Sequence, residues 1–174
     1  KVIIDDALTR IEDSEIEKVV DALINAERIF VYSEGGSASV AFALSAVLTH
    51  IGLNCVSYSD AFMQIASACH LKSSDVAIGI SHTGKARNTI EAVKTAHVAG
   101  AFTAFISAGN PENYMEYVDA FLPISFKSSL ATSDLPAARI SELCVVSIIQ
   151  LGIMAKDNKR FSDNFQKSKK ALKI

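Results

Sequence analysis

The sequence predicts an α/β fold: a three-layer, doubly wound sheet of five parallel strands in the order 2-1-3-4-5, with helices on both faces. Three observations support it. Strand-like and helix-like segments alternate from residue 28 to residue 124, as in successive βαβ units. The strand segments, IFVY and AIGI among them, are apolar runs with little polar alternation, which fits strands covered on both faces. The chain has 174 residues with no internal repeat and no interdomain linker, a length that suits one domain with a full core.

The elements follow in order. Residues 5–25 place Leu8, Ile11, Ile16, Val19, Val20, Leu23 and Ile24 at helical spacing with charges between them, an acidic amphipathic helix. RIFVYS (28–33) is the first strand. After the turn EGGS, a helix through Val40, Leu44, Val47, Leu48 and Ile51 runs to Gly52, a usual terminator. NCVSYS (54–59) is the second strand, and Asp60 opens a short helix to about His70. DVAIGIS (75–81) is the third strand, residues 86–99 form a helix, and AFTAFIS (101–107) and AFLPI (120–124) are the fourth and fifth strands. Beyond the Ser-rich stretch 127–136, which contains Asp134, a helix over 137–154 is apolar nearly all round and is expected to be buried on more than one side. Residues 155–174 carry seven Lys or Arg against two Asp. The expected organisation is a single domain over 1–174: N-terminal helix 5–25, core 28–155 and basic helical tail 156–174.

Composition excludes several classes. The chain is 49% hydrophobic and 21% charged with a net charge of −2, values of an ordered globular protein without a basic footprint for nucleic acid. The longest strongly apolar stretch, residues 143–154, falls short of the roughly 20 residues a bilayer span needs. No membrane partner, signal peptide or transit pattern is expected, and the expected location is cytoplasmic. The chain opens on Lys1 rather than Met, consistent with a missing N-terminal portion. Cys55, Cys69 and Cys144 show no metal-ligand spacing and are expected to be buried, reduced thiols. His50, His70, His82 and His97 show no i, i+4 pairing, so no zinc site is expected. No cofactor is expected either.

In a 2-1-3-4-5 sheet, ligands bind outside the carboxyl ends of strands one and three, where the order reverses. The loops at those ends are SEGGSAS (33–39) and SHTGKAR (81–87), the turns richest in hydroxyls and glycine. Each precedes a helix, whose N-terminus offers unpaired N–H groups and the positive end of a dipole. Gly35, Gly36 and Ser37 from one loop, and Ser81, His82, Thr83, Gly84, Lys85 and Arg87 from the other, suit a phosphate with several acceptor oxygens. The alternative reading is that Ser37 and Thr83 cap their helices. Dinucleotide binding is disfavoured: EGGSAS lacks G-x-G-x-x-G, and Asp60, placed where a ribose-binding acid would lie, also suits an N-cap. The G-x-x-x-x-G-K-[ST] phosphate loop is absent.

Taken together, VYSEGGSA, VSYSDAFMQIASACHL, DVAIGISHTGKARNTIEAV and ARISELCVVSIIQ resemble a sugar isomerase (SIS) domain of flavodoxin-like winding, and more narrowly the C-terminal effector domain of RpiR-type transcriptional regulators. The resemblance covers residues 5 to 155. It implies a sugar-phosphate ligand, a homodimer or tetramer, and a helix-turn-helix domain upstream of this chain through which alone DNA would be met. It carries over Ser37, Ser81, Thr83 and Arg87 as phosphate-binding candidates, with backbone groups near Gly36 and Gly84. One departure stands out: Ala86 occupies the place of the family's threonine, and Lys85 that of a common acidic residue.

Isomerisation of an aldose to a ketose needs a base that reaches the substrate carbons. Glu34 is the only carboxylate in either loop, and His82 is the other candidate, although strand alternation turns Ser81 or His82 inward rather than plainly both. Glu91 lies two turns into its helix and is expected to be exposed. No acid and base stand out together, so the expected role is a phosphosugar sensor without catalytic residues. A sugar-phosphate isomerase is the alternative. The apolar helix 137–154 is the candidate dimerisation element.

Overall fold

The computed structural model describes residues 9–124 and 136–173. Beyond helical residues 9 and 10, the described residues form six α-helices and five strands in the order α1 (Asp13–Asn25), β1 (Arg28–Ser33), α2 (Ala38–His50), β2 (Cys55–Tyr58), α3 (Ala61–Ala68), β3 (Asp75–Ser81), α4 (Arg87–Val98), β4 (Phe102–Ser107), β5 (Ala120–Pro123), α5 (Pro136–Lys156) and α6 (Asn158–Ala171). The five strands form one sheet in the expected order, β2-β1-β3-β4-β5, and every pairing is parallel. The N-terminal four residues of the expected first helix and residues 127–135, with Asp134, lie outside the described residues. Residues 9 and 10 are helical, but Glu12 is extended, so the first helix is interrupted and α1 begins at Asp13. Asp13 and Glu15 in its first turn favour a helix start there through the dipole.

The apolar strands hide an alternation. Ile29, Val31, Ile78, Ile80, Ile106 and Leu122 face one way and join an aliphatic core with residues of α1, α2, α5 and α6. Phe30, Tyr32, Ala77, Phe105 and Phe121 face the other way, against α3, α4 and the β4–β5 connection. Both faces are apolar, so the period of two shows in the type of side chain rather than in polarity. A Cβ at Gly79 would lie 2.5 Å from the Phe105 ring and 2.7 Å from Val93; only glycine lets that ring and α4 settle onto β3.

At the amino end of the sheet, Asp75 opens β3 fully buried. Its carboxylate accepts from Arg28 Nε at 3.0 Å, Arg28 Nη2 at 2.5 Å and the Lys72 N–H at 2.8 Å. Burial pushes the Asp75 carboxyl up, but the Arg28 guanidinium and the Lys72 N–H together bring it below its ordinary value. A lowered folded-state pKa contributes stability above the unfolded value, near pH 4, that is lost as pH falls through the folded value. Asp75→Asn is therefore expected to lower the urea midpoint at pH 7 and to flatten the decline below pH 4. An unchanged pH profile would remove Asp75 as its source.

The last two helices differ from expectation in useful ways. On α5, Val145, Val146, Ile149 and Ile153 are buried, but Ile140, Leu143 and Leu151 are exposed. The helix is thus buried on one side, and its other apolar face lies open on the single chain. The basic tail forms α6, started by Asp157, whose carboxylate accepts from the Arg160 N–H. It packs through buried Phe161, and Asn164 and Ser168 donate to the Ile51 and His50 carbonyls at the end of α2. Cys55 and Cys144 are half-buried and Cys69 is exposed, so the expectation of three buried thiols does not hold; all three are unpaired. Burial pushes the Cys55 thiol up to about 12.

Candidate functional site

The sheet order reverses between β1 and β3, so the loops that leave their carboxyl ends meet at one mouth. A cleft of about 310 Å³ opens there, lined by Glu34, Gly35, Gly36, Ser37, Ser81, His82, Thr83, Lys85, Ala86 and Arg139. Of the predicted residues, Gly35, Gly36, Ser37, Ser81, His82, Thr83 and Lys85 are brought together on its wall, with both catalytic alternatives, Glu34 and His82. Gly84 and Arg87 are not on the wall. Gly84 is buried behind the loop and Arg87 is exposed at the start of α4.

The first loop leaves β1 through extended Glu34 and tightens into a 3-10 turn, Gly35–Ser37, that runs into α2. Ser37 sits at the N-cap position, yet its hydroxyl does not cap the helix. It is buried and donates instead to Glu142 Oε1 at 3.0 Å, while accepting from Arg139 Nη1 at 2.5 Å. The second loop turns at Ser81, whose carbonyl accepts from the Gly84 N–H. Ser81 Oγ accepts from the Ala86 N–H at 3.3 Å, which leaves its own O–H to donate. The strand ends at Ser81, so alternation no longer governs His82, and both side chains reach the cleft. The N-cap of α4 is Ala86, with no side-chain cap. The helix-capping alternative for Ser37 and Thr83 thus has no hydrogen bond behind it.

Gly84 is held from below. Its φ is +69°, a region that favours glycine, and its carbonyl accepts from the Tyr114 hydroxyl at 2.9 Å. Tyr114 in turn is stacked between Phe105 and Phe121, with ring centroids at 4.8 and 5.4 Å. The aromatic core therefore fixes the loop that carries Ser81 and Thr83.

Glu34 spans the two loops. Its Oε1 accepts from the Thr89 N–H at 3.2 Å, in the first turn of α4, a position where the helix dipole favours a carboxylate. The Thr89 hydroxyl donates to Gln64, and Gln64 donates to the Ser33 carbonyl at the end of β1. Asp60 caps α3 by accepting from the Met63 N–H.

Two residues that the sequence reading missed come from α5. Arg139 lies over Gly36, with Cζ 3.4 Å from where a Cβ would stand. Its Nη1 also donates to Glu142 Oε1 and Oε2 at 3.1 and 3.0 Å. Glu142 is fully buried, and its Oε1 is 3.6 Å from His82 Nδ1. A signal for this pair exists: Arg139 and Glu142 are one turn apart in a helix otherwise apolar over most of its length, where charges need a reason. Among the described residues no cluster of His, Cys, Asp or Glu is arranged to hold a metal ion. The cleft offers hydroxyls, backbone N–H groups at two helix starts and a guanidinium. That set complements an anion with several oxygens.

Residues 22–117, more than half of the chain, match the family model of the SIS domain. An uncharacterized HTH-type transcriptional regulator of Caldanaerobacter subterraneus subsp. tengcongensis is 31% identical over 156 residues, covering 90% of this chain and 55% of that protein. The chain thus spans about half the length of this curated relative. Among solved structures, the sugar isomerase domain of an RpiR transcription factor from Sphaerobacter thermophilus superposes with a TM-score of 0.84 at 20% identity, over 97% of this chain and 92% of that one. NanR of Vibrio vulnificus, in complex with ManNAc-6P, superposes with a TM-score of 0.91 at 18% identity, over 98% of this chain and 64% of that one. At these identities the two structures establish a shared fold. With the sheet order, the switch-point cleft and the family match in agreement, this chain belongs to the SIS domain family.

Proposed function

We propose that this chain is the effector domain of an HTH-type transcriptional regulator of the RpiR kind, and that it binds a phosphorylated sugar in the cleft between the β1 and β3 loops. The observation that carries the reading is the convergence of Ser37, Ser81, Thr83, two helix starts and Arg139 on one cleft of about 310 Å³. Regulators among the similar proteins, and a phosphosugar in the NanR complex, support it. In this reading Ser81 and Thr83 donate to the phosphate, and Lys85 adds charge at the rim. DNA is reached through a helix-turn-helix domain outside these residues, in the cytoplasm. A second copy covers the open face of α5, where Ile140, Leu143 and Leu151 stand exposed. A ligand switches such a protein only by binding its DNA-competent and incompetent arrangements unequally.

The alternative, a sugar-phosphate isomerase, has Glu34 and His82 at the cleft. Glu34 is engaged with the start of α4, and a sensor asks nothing of it as a base.

Phosphorus NMR of the chain with hexose, amino-sugar and acidic sugar phosphates separates these readings. One resonance that broadens or shifts, with no product over hours, supports a sensor. That response should weaken roughly tenfold in Ser81→Ala or Thr83→Ala, since a hydrogen bond to a charged group contributes about 1.5–3 kcal/mol. A growing product peak would make the protein an isomerase, and silence across the panel would remove the clamp. Sedimentation of the same sample reports whether a second copy is present.

A further inference from the structure

The donors of the first loop are already occupied by an anion that belongs to the chain. Glu142 accepts from Ser37 at 3.0 Å and from Arg139 at 3.0 and 3.1 Å. Arg139 lines the cleft and is largely buried, while Glu142 lies behind it with no exposure. The second anion-favouring position, the start of α4, is likewise taken by the Glu34 carboxylate at the Thr89 N–H. Among the described residues at the cleft and directly behind it, the cations Arg139 and Lys85 are matched by the carboxylates Glu34 and Glu142. Net charge from these residues therefore adds little to the attraction for a dianion, although their donors are those a phosphate requires.

We propose that Glu142 is an internal rival of the ligand's phosphate for Ser37 and Arg139, and that its buried charge sets the affinity of the cleft. This rests on the phosphate-clamp reading above and deepens it. To bind, the phosphate must draw the Ser37 hydroxyl and the Arg139 guanidinium partly away from Glu142, and must bear the repulsion of a carboxylate that water does not screen. In a partly buried site a carboxylate and a dianion repel far more strongly than they do in bulk water. Even a fraction of that repulsion changes affinity by an order of magnitude. Glu142 does not line the cleft, so it is an affinity-setting residue rather than one that touches the ligand.

A role for Glu142 as a support for Arg139 predicts the opposite sign. If its carboxylate only orients the guanidinium, a neutral side chain loosens Arg139 and weakens binding. If it competes, a neutral side chain releases Arg139 and Ser37 to the ligand and tightens binding. Glu142→Gln keeps the shape and an acceptor oxygen but removes the charge. Glu142→Met removes both and, as a one-sided removal from a buried pair, costs stability, which the folding check reports. The two variants differ in how they burden folding, so either one serves.

The probe is inorganic phosphate, titrated by calorimetry at pH 8 into the full chain and each variant, with folding checked by circular dichroism. The expected result is a dissociation constant about tenfold lower in the neutral variants than in the wild type. Saturable binding to the wild type that is equal or weaker in both variants overturns the rivalry and leaves the clamp standing. Failure of phosphate to bind any of the three proteins overturns the clamp, and the rivalry with it.

Discussion

Replacing Arg139 by alanine is expected to destabilise the protein by about 3–5 kcal/mol, the usual cost of stranding one charge of a buried pair. The carboxylate left behind belongs to Glu142, which is fully buried and keeps only the Ser37 hydroxyl as a hydrogen-bond partner among the contacts described above. Glu142 has no solvent exposure in the native fold, so the penalty falls on folding. The double replacement Arg139→Met with Glu142→Met removes both charges together and is expected to recover most of the loss. Urea denaturation of Arg139→Met, Glu142→Met and the double variant forms a cycle, and a coupling of more than about 1 kcal/mol identifies the pair. An Arg139→Ala protein with wild-type stability would show that the pair is hydrated in solution. Phosphate binding should fall in the same variant, since Arg139 is the one arginine on the cleft wall among the described residues.

Gly84→Ala should be almost as damaging, by about 3 kcal/mol, through two separate costs. A non-glycine residue at φ +69° is strained. The added Cβ would also stand 2.0 Å from the Tyr114 hydroxyl and 2.8 Å from Ser107 Oγ. Tyr114 cannot yield, because its ring is stacked between Phe105 and Phe121. The melting temperature is expected to drop by about 10 °C for a chain of this size. Tyr114→Phe alone removes the hydrogen bond to the Gly84 carbonyl and should cost about 1 kcal/mol. In that background Gly84→Ala should cost measurably less, because its nearest clash is gone while the backbone strain remains. Additive effects would mean that the loop is not anchored by Tyr114. The functional consequence follows from the same contact: a displaced Gly84 moves Ser81 and Thr83, and phosphate binding weakens without any change to the donors themselves.

Local signals explain why so much of the fold could be read from the chain. RIFVYS and DVAIGIS coincide with β1 and β3 residue for residue, because each is a short apolar run closed by a turn residue. Asp60 marks the start of α3, since an Asp side chain three residues ahead of an unpaired N–H is a cap wherever it occurs. The interruption of the first helix at Glu12 was not legible. Its apolar spacing continues across the break, and only the acidic first turn of α1 hints at a new start. The open face of α5 was not legible either: hydrophobicity all round a helix shows that it seeks cover, not whether its own chain supplies it.

The cleft divides in the same way. Its two loops could be named from sequence because parallel strands deliver their carboxyl ends to one side of a sheet, and the reversal between β1 and β3 follows from the strand order. The type of residue in those loops, hydroxyl and glycine, was equally plain. The sequence by itself thus determined the sheet, the position of the cleft and the donors that strand and turn patterns bring there. Tertiary structure alone decided what occupies those donors: the Ser37 hydroxyl meets a carboxylate 105 residues downstream, delivered by a helix whose docking depends on the whole aliphatic core. Periodicity and turn chemistry are short-range signals, whereas the approach of Arg139 and Glu142 to Ser37 is set by how two distant helices pack, which is a property of the assembled core and not of either segment.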